Sequence, residues 1–306
     1  MIRQPLDGFW VAFLVAAVCA YPIYRALLAL KSRQTIDPFA PETHQVKQGT
    51  PTMGGLIILA GLIPTLVLSG AETGLLLTCI GFAFIGFVDD FIVPRYLKGK
   101  RGLGWKQKII LQVGIATLGA WLTTGLYGNP LWIGIGAFLI LFFSNAYNFA
   151  DGLDALAGSL LLVLGGSLWL YCGSPMLGAA LVGATLPFLF LNAPPAKIFM
   201  GDVGSLPIGA VLGLTYATAL KDSAHWQTFG ALFALNFVLI LELTLVPIQV
   251  GYFKMTKKRL FPATPIHHGF EKKGWPEVKV VWTFFLTQIV CSAIAYTLVV
   301  RFWGTR

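Results

Sequence analysis

Charged residues are scarce in this sequence. Of its 306 residues, 11% are charged and 56% are hydrophobic, whereas soluble chains carry about 25% charged residues. Long polar stretches are also lacking, since the longest, near 31–52, 91–106 and 253–279, are only the size of loops. These shortages exclude an ordinary soluble domain and predict one polytopic membrane domain over residues 1–306.

Strict alternation of polar and apolar residues is missing as well, which argues against an outer-membrane barrel. The apolar runs instead reach the length of about 20 residues that a spanning helix needs, and a backbone in lipid must satisfy its own hydrogen bonds. We therefore predict an all-α integral membrane protein, a bundle of about ten transmembrane helices. The approximate spans are 9–30, 53–70, 72–89, 107–126, 130–147, 155–172, 176–193, 203–220, 228–252 and 280–303.

The four cysteines show neither metal-ligand spacing nor a disulfide framework, so we interpret them as small core-filling residues. Lysine and arginine are distributed unevenly. With ten spans, 17 of the 22 fall in loops on one side, and four, Arg3, Lys221, Arg301 and Arg306, fall on the other. The positive-inside rule places the richer side in the cytoplasm and both termini outside. The net charge of +9 indicates attraction to anionic lipid rather than nucleic-acid binding.

Carboxylates collect on the same side, which the positive-inside rule does not explain. Asp89 and Asp90 end the third predicted span, and adjacent carboxylates at a membrane boundary repel each other unless a cation or basic neighbours compensate. A solvated helix end is the alternative, but acids at a helix C-terminus oppose the helix dipole. We favour a functional site.

A second polar group lies between the fifth and sixth spans. Asn145, Asn148, Asp151 and Asp154 recur at intervals of three, which places them along one helical face or a tight turn. Helix capping would explain one aspartate, most readily Asp154, but not all four residues. This spacing predicts a polar binding site.

The loop before the eighth span runs from Asn192 to Asp202. Its two prolines prevent a regular helix, and Gly201 and Gly204 permit close backbone approach. Asp202 is either the N-cap of the eighth span or a magnesium ligand, because Mg²⁺ takes one or two carboxylates together with phosphate oxygens. Both interpretations stay open.

Two basic segments suit phosphate. Lys47 precedes a glycine-rich start of the second span, where free N–H groups attract anions, although such a start is often only a turn. His267 and His268 lie in a lysine-rich loop, where imidazoles bind phosphate or move protons. Adjacent histidines lack the spacing of a helical zinc pair.

The ninth span contains Glu242 and Pro247. We expect a glutamate at this depth to be paired within the bundle, and we expect the proline to kink or break the helix. Gln249 would then lie near the cytoplasmic mouth.

Together these groups indicate metal-assisted phosphoryl transfer at the membrane surface. A transporter is the alternative from another class, since intramembrane charges also mark translocation paths. It is disfavoured because the ionisable groups crowd one face.

The stretches KQGTPTMGG, GFVDDF, NAYNFADGLDALAG, NAPPAKIFMGDVGSLPIG and TPIHHGFEKKGWPEVK resemble those of the polyprenyl-phosphate N-acetylhexosamine-1-phosphate transferases. The last stretch is similar to that of one branch, the bacterial phospho-N-acetylmuramoyl-pentapeptide-transferases. The resemblance covers nearly the whole chain, with the motifs in order. It implies that UDP-N-acetylmuramoyl-pentapeptide and undecaprenyl phosphate give lipid I and UMP with Mg²⁺, for peptidoglycan synthesis at the bacterial cytoplasmic membrane. It also implies a homodimer.

The resemblance also implies residue roles. Asp89 would act as the base or orient the lipid phosphate, with Asp90 beside it, and Asp202 would bind Mg²⁺. Direct attack and an aspartyl intermediate both remain open. Residues expected at the nucleotide site are Lys47, Asn192, Asp151, Asp154, Phe199 and Gln249, with Phe199 stacking on uracil. Residues expected to contact phosphates are His267, His268 and Lys106.

The chain departs from the family pattern at two positions. Gly269 stands where relatives commonly have a third histidine, and Val93 stands where they often have a lysine. Arg95 or Lys98 would substitute for that lysine. The nearest competing function is the same chemistry on UDP-N-acetylglucosamine.

Overall fold

The computed structural model describes residues 2–30, 49–97, 102–223 and 225–303. These ranges form twelve helices, numbered here in chain order. The helices are α1 Pro5–Ala29, α2 Gly55–Ser69, α3 Thr73–Tyr96, α4 Trp105–Trp121, α5 Pro130–Ala150, α6 Leu156–Leu170, α7 Pro175–Asn192, α8 Asp202–Asp222, α9 Trp226–Leu235, α10 Phe237–Thr256, α11 Ile266–Lys272 and α12 Glu277–Trp303.

The all-α multi-pass membrane architecture is confirmed. Seven of these helices, α1, α3, α5, α7, α8, α10 and α12, are long and apolar enough to cross a membrane, judged by length and composition. The predicted second, fourth and sixth spans are the shorter helices α2, α4 and α6, with 15, 17 and 15 residues. Of these, α2 and α6 are apolar, and a bilayer adapts locally to short apolar helices at modest cost.

The ninth predicted span is divided, but not where the sequence indicated. A break at Pro247 is not observed, because α10 continues through Pro247 to Thr256, which leaves a kink as the part of that expectation still to be tested. The break lies at the buried Asn236, between α9 and α10. There Gln288 of α12 donates a hydrogen bond to the carbonyl of Leu235 at 2.6 Å. That bond satisfies a carbonyl at the end of α9, which is why the chain can stop a helix inside the bundle.

Helix α8 lies at the centre of the bundle, since 89% of its 18-residue apolar stretch is buried. It packs against α5 at glycine positions. A Cβ atom on Gly209 or Gly213 would overlap the backbone carbonyls of Phe143 or Leu139 in α5. Small residues of this kind let helix backbones approach closely in a membrane, where packing rather than water drives association.

One end of the bundle gathers the elements that carry the predicted site. Here α3, α5 and α7 end, α4, α6, α8 and α12 begin, and α11 lies in the loop between α10 and α12. Side chains join these ends across the bundle: Glu277 at the start of α12, for example, accepts a hydrogen bond from the backbone N–H of Asp154 at 2.7 Å. The polar segments separated in sequence therefore share one face.

Candidate active site

Three carboxylates form an acidic cluster, consisting of Asp89, Asp90 and Asp202. One oxygen atom from each lies within 4.8 Å of the others. Asp89 and Asp90 stand on a π-helical turn, Val88–Ile92, inside α3, a local form that occurs frequently at functional sites. Asp202 is the first residue of α8, after Gly201 at the N-cap position. The N-cap interpretation of Asp202 is therefore wrong, because its carboxylate faces the cluster.

Backbone contacts fix the two α3 carboxylates. Asp89 accepts a hydrogen bond from the N–H of Leu103 at 2.6 Å, and Asp90 accepts one from the N–H of Val203 at 3.1 Å. A Cβ atom on Gly86 would overlap the backbone of Asp202, so α3 reaches the first turn of α8 only because residue 86 is glycine. The positive end of the α8 dipole lies beside the cluster, where it stabilises negative charge.

Lys108 supplies the positive charge. Its Nζ lies 3.5 Å from Oδ2 of Asp89 and forms an ion pair with Asp202. Lys108 was not among the predicted site residues. The predicted lysine, Lys106, is exposed, with its Nζ 5.6 Å from the ring centroid of Trp105. Two residues apart on a helix, the two lysines point in nearly opposite directions. The spacing favours Lys108, because it lies four residues before Gln112 in a row that continues through Ala116 and Ala120, all three of which are buried.

Asn148 joins α5 to the cluster. Its Nδ2 donates hydrogen bonds to Oδ1 of Asp202 at 2.7 Å and to Oγ of Ser205 at 2.8 Å. Asn145, one turn away, donates instead to Oε1 of Gln112 in α4 at 2.9 Å. The predicted polar face of α5 therefore divides between the cluster and the α4 contact.

Asp151 lies at the end of α5, close to the cluster. Burial raises the pKa of the Asp151 carboxyl well above its usual value, and the negative charge of Asp202 raises this pKa further, while a hydrogen bond from the backbone of Gly201 acts in the opposite direction. A carboxyl under these influences indicates a functional environment.

Asp154 and Asn192 hold the loop between α7 and α8. Asp154 accepts a hydrogen bond from the N–H of Ala196 at 2.9 Å. Asn192 accepts one from the N–H of Ala155 at 2.9 Å and donates one to the carbonyl of Ile198 at 2.8 Å. The interpretation of Asp154 as a helix cap is wrong, because Ala155 occupies the N-cap position of α6. Both side chains are almost fully buried.

Phe199 follows in the same loop, and its backbone is paired with the start of α2. Its N–H donates to the carbonyl of Pro51 at 2.8 Å, and its carbonyl accepts from Gly54 at 2.7 Å. Its side chain is half-buried. Gly55 and Gly204 touch so closely here that a Cβ atom on either would overlap the other's backbone, which confirms that the glycines permit close approach.

The histidine loop lies beside these elements. His267 is fully buried and contacts Glu242, which confirms that the glutamate is paired within the bundle. The side chain of His268 is 30% exposed, and its Nδ1 lies 2.7 Å from Oε2 of Glu271. Gln249 uses its side chain on the loop after α10, where its Oε1 accepts hydrogen bonds from the N–H groups of Leu260 and Phe261.

Three further basic positions complete the predicted set. Lys47 and Lys98 lie outside the described residues. Arg95 donates to the carbonyl of Leu30 at 3.4 Å and lies 5.3 Å from the ring centroid of Phe91. Arg95 thus contacts neighbours other than the cluster, and Lys108 is the cation that the described residues place against it.

The donor set of the cluster fits a hard divalent cation. Carboxylate oxygens are the ligands that Mg²⁺ prefers, and three carboxylates facing one ammonium leave excess negative charge in the described part of the site. Such an excess favours binding a metal ion together with anionic substrates.

The helical membrane bundle brings three carboxylates and a lysine together at one end, and residues 73–220 match the family described as Glycosyl transferase family 4, so the chain is a membrane-embedded transferase. Residues 47–59 match phospho-N-acetylmuramoyl-pentapeptide-transferase signature 1. The chain belongs to the phospho-N-acetylmuramoyl-pentapeptide-transferase family.

Relatives that align over most of both chains support this assignment. The phospho-N-acetylmuramoyl-pentapeptide-transferase of Clostridioides difficile (strain 630) is 36% identical over 315 residues, covering 93% of this chain and 94% of the relative. That of Wolbachia sp. subsp. Brugia malayi (strain TRS) is 37% identical, covering 95% and 98%. That of Staphylococcus carnosus (strain TM300) is 35% identical, covering 93% and 96%.

Proposed function

We propose that this chain transfers phospho-N-acetylmuramoyl-pentapeptide from its UDP-activated form to undecaprenyl phosphate, giving lipid I and UMP in peptidoglycan synthesis. The observation that carries the proposal is the acidic cluster with Lys108, at the end of the bundle where the described residues of the family signature contact the loop before α8 and its first turn. Phosphate-bearing substrates need that combination, because cations must neutralise them while a carboxylate orients the nucleophile.

We assign the site end of the bundle to the cytoplasm and both termini to the outside, with the whole chain forming one domain. The support is the distribution of lysine and arginine, 17 against four between the two sets of loops. UDP-sugars are cytoplasmic metabolites, so this orientation also places the site on the side of its soluble substrate. By resemblance to the family, we also propose a homodimer.

In the proposed reaction, an oxygen of undecaprenyl phosphate attacks the sugar-linked phosphorus. A new P–O bond forms to that oxygen, the P–O bond to the uridine-bearing phosphate breaks, and UMP leaves. Asp89, held by Leu103 and Lys108, orients the attacking phosphate or accepts its proton, and Asp90 lies beside it. Asn148 holds Asp202 in a fixed position.

Asp202, with Asp89 and Asp90, would hold Mg²⁺, which when bound neutralises pyrophosphate charge and stabilises the leaving group. Lys108 contributes a second positive charge from α4. Because these groups stand on three different helices, packing of those helices sets the geometry before substrate arrives.

We place the nucleotide against the loop between α7 and α8. Phe199, half-buried on a paired backbone, would stack on uracil, and Asp151, Lys47 and Gln249 would lie near the nucleoside. The buried Asp154 and Asn192 would support this nucleotide site by holding the loop that carries Phe199. His268 and Lys106, both accessible from solvent, would contact phosphates. The buried His267, whose ring packs against that of His268, would support His268 in this contact.

The direct test uses purified protein, Mg²⁺ and undecaprenyl phosphate, with UMP release measured from each of two UDP-sugars. We expect release from UDP-N-acetylmuramoyl-pentapeptide and little from UDP-N-acetylglucosamine. The reverse preference would reassign the substrate, and release from neither would reject the proposal.

A further inference from the structure

Glu242 is a carboxylate with no exposed surface in the interior of the bundle. It accepts two backbone hydrogen bonds from the first residues of α11, from the N–H of Ile266 at 3.1 Å and from the N–H of His267 at 3.3 Å. Its Oε2 also lies 3.0 Å from Nδ1 of His267. Three nitrogen atoms of one short segment therefore converge on a carboxylate from a different helix, α10.

This geometry determines which nitrogen of His267 carries the proton. An ionised carboxylate offers only acceptor sites, so Nδ1 donates to Glu242 when Glu242 is ionised. The other nitrogen, Nε2, is buried and has no hydrogen-bond partner among the described residues. A buried, unpaired imidazolium N–H would be far more costly than a bare lone pair. This geometry favours the Nδ1–H tautomer of His267, with an unprotonated Nε2.

The ring of His267 contacts two parts of the site. Its Nε2 faces the turn after α5 so closely that a Cβ atom on Gly152 would overlap it, and Gly152 directly follows Asp151. On its other side, its ring centroid is 4.2 Å from that of His268. A fixed orientation of the His267 ring therefore fixes the positions of the turn at Gly152 and of the His268 ring.

We propose that Glu242 is a positioning residue, which locks His267 as the Nδ1–H tautomer and so sets the place of the Asp151–Gly152 turn and of His268. The consequence for turnover rests on the proposed function, whereas the tautomer does not. Partners of this kind behind a site histidine commonly fix both its tautomer and its orientation. The role explains why an ionisable side chain is buried inside the bundle.

The test is Glu242→Gln, which preserves size but offers one acceptor oxygen and an NH₂ group. One amide oxygen cannot accept hydrogen bonds from all three nitrogens, the two backbone N–H groups and Nδ1 of His267. At least one of these nitrogens therefore faces the NH₂ group, which is a donor. The chain has four histidines, and ¹⁵N-histidine NMR of labelled protein in lipid resolves the two tautomers. Signals are assigned by substituting each histidine in turn.

For wild type we expect His267 with a protonated Nδ1 and a bare Nε2. In Glu242→Gln we expect the opposite tautomer or a mixture, with kcat lowered about tenfold and a much smaller change in KM for the UDP-sugar. Glu242→Asp, which keeps the charge, should restore the wild-type tautomer at least in part. Glu72→Gln is the matched control, since Glu72 is exposed at the opposite end, and it should change neither readout.

A wild-type spectrum with both nitrogens of His267 protonated, or with the proton on Nε2, would overturn the proposal. So would an unchanged tautomer and unchanged kcat in Glu242→Gln. If that variant does not fold, the wild-type spectrum alone decides. If wild type shows the expected tautomer but does not release UMP, the proposed function is rejected, whereas the proposal that Glu242 fixes the tautomer of His267 is supported.

Discussion

The acidic cluster and the junction between α9 and α10 both bring polar side chains into the bundle, but their chemistry differs. At the junction, amides bond to backbone carbonyls: Gln288 to Leu235 at 2.6 Å and Asn236 to Leu232 at 3.0 Å. At the cluster, carboxylates face each other and one lysine. Amides at a helix break satisfy the backbone and need no further purpose, whereas like charges gathered at membrane depth cost free energy and indicate function.

The largest effects are expected at the cluster. Asp89→Asn, Asp90→Asn and Asp202→Asn each keep the shape of the side chain and remove its charge, and we expect each to lower UMP release by about 10³-fold or more. The protein should still insert and elute as wild type in size-exclusion chromatography. Near-normal turnover in one variant would remove that residue from the site.

Removing divalent cations should abolish activity of the wild-type protein, because the acidic cluster and the pyrophosphate substrate are both negative. Titration with a chelator, followed by adding back Mg²⁺ or Mn²⁺, measures this dependence. Full activity in excess chelator would show that Lys108 alone compensates the carboxylates.

The two lysines of α4 provide a matched pair. Lys108→Met removes the cation that contacts Asp89 and Asp202, and we expect a loss of about 10²-fold in kcat/KM. Lys106→Met removes an exposed charge over Trp105 and should cost much less. The opposite order would mean that the phosphate contact of Lys106 matters more than the ion pairs of Lys108.

His268→Ala should lower turnover by about tenfold, because it removes an imidazole that contacts phosphate in the proposed site. Gly269→His, which restores the common third histidine of the family, should cost less. Gly269 does not have a positive φ angle, and an added Cβ would lie 3.2 Å from the carbonyl oxygen of Ala263, which must yield slightly. Turnover of both variants at equal amounts of folded protein decides the order.

The smallest effect on activity is expected at the junction. Gln288→Leu leaves the carbonyl of Leu235 without its partner and should destabilise the protein by about 1–3 kcal/mol, seen as a lower melting temperature. Turnover per folded molecule should stay near wild type. A selective loss of turnover would show that the junction, like the cluster, serves the reaction.

The sequence by itself determined the class of fold, the ten apolar segments and most of the cluster. Composition forces such segments into lipid, and lipid forces them into helices, so no long-range information is needed. Asp89 and Asp90 were recognisable because charge at the end of an apolar run is costly wherever the helix packs, whereas spacing alone left Asp202 open between an N-cap and a metal ligand.

Only the tertiary structure decided how those segments face one another. It selected Lys108 over Lys106, because helix rotation depends on the neighbours of α4 and not on local composition. It placed the break of the ninth segment at Asn236, because Gln288, some fifty positions later in the chain, supplies the donor that a helix end needs there. It also joined Glu242 to His267, a pairing between two helices that neither segment encodes alone.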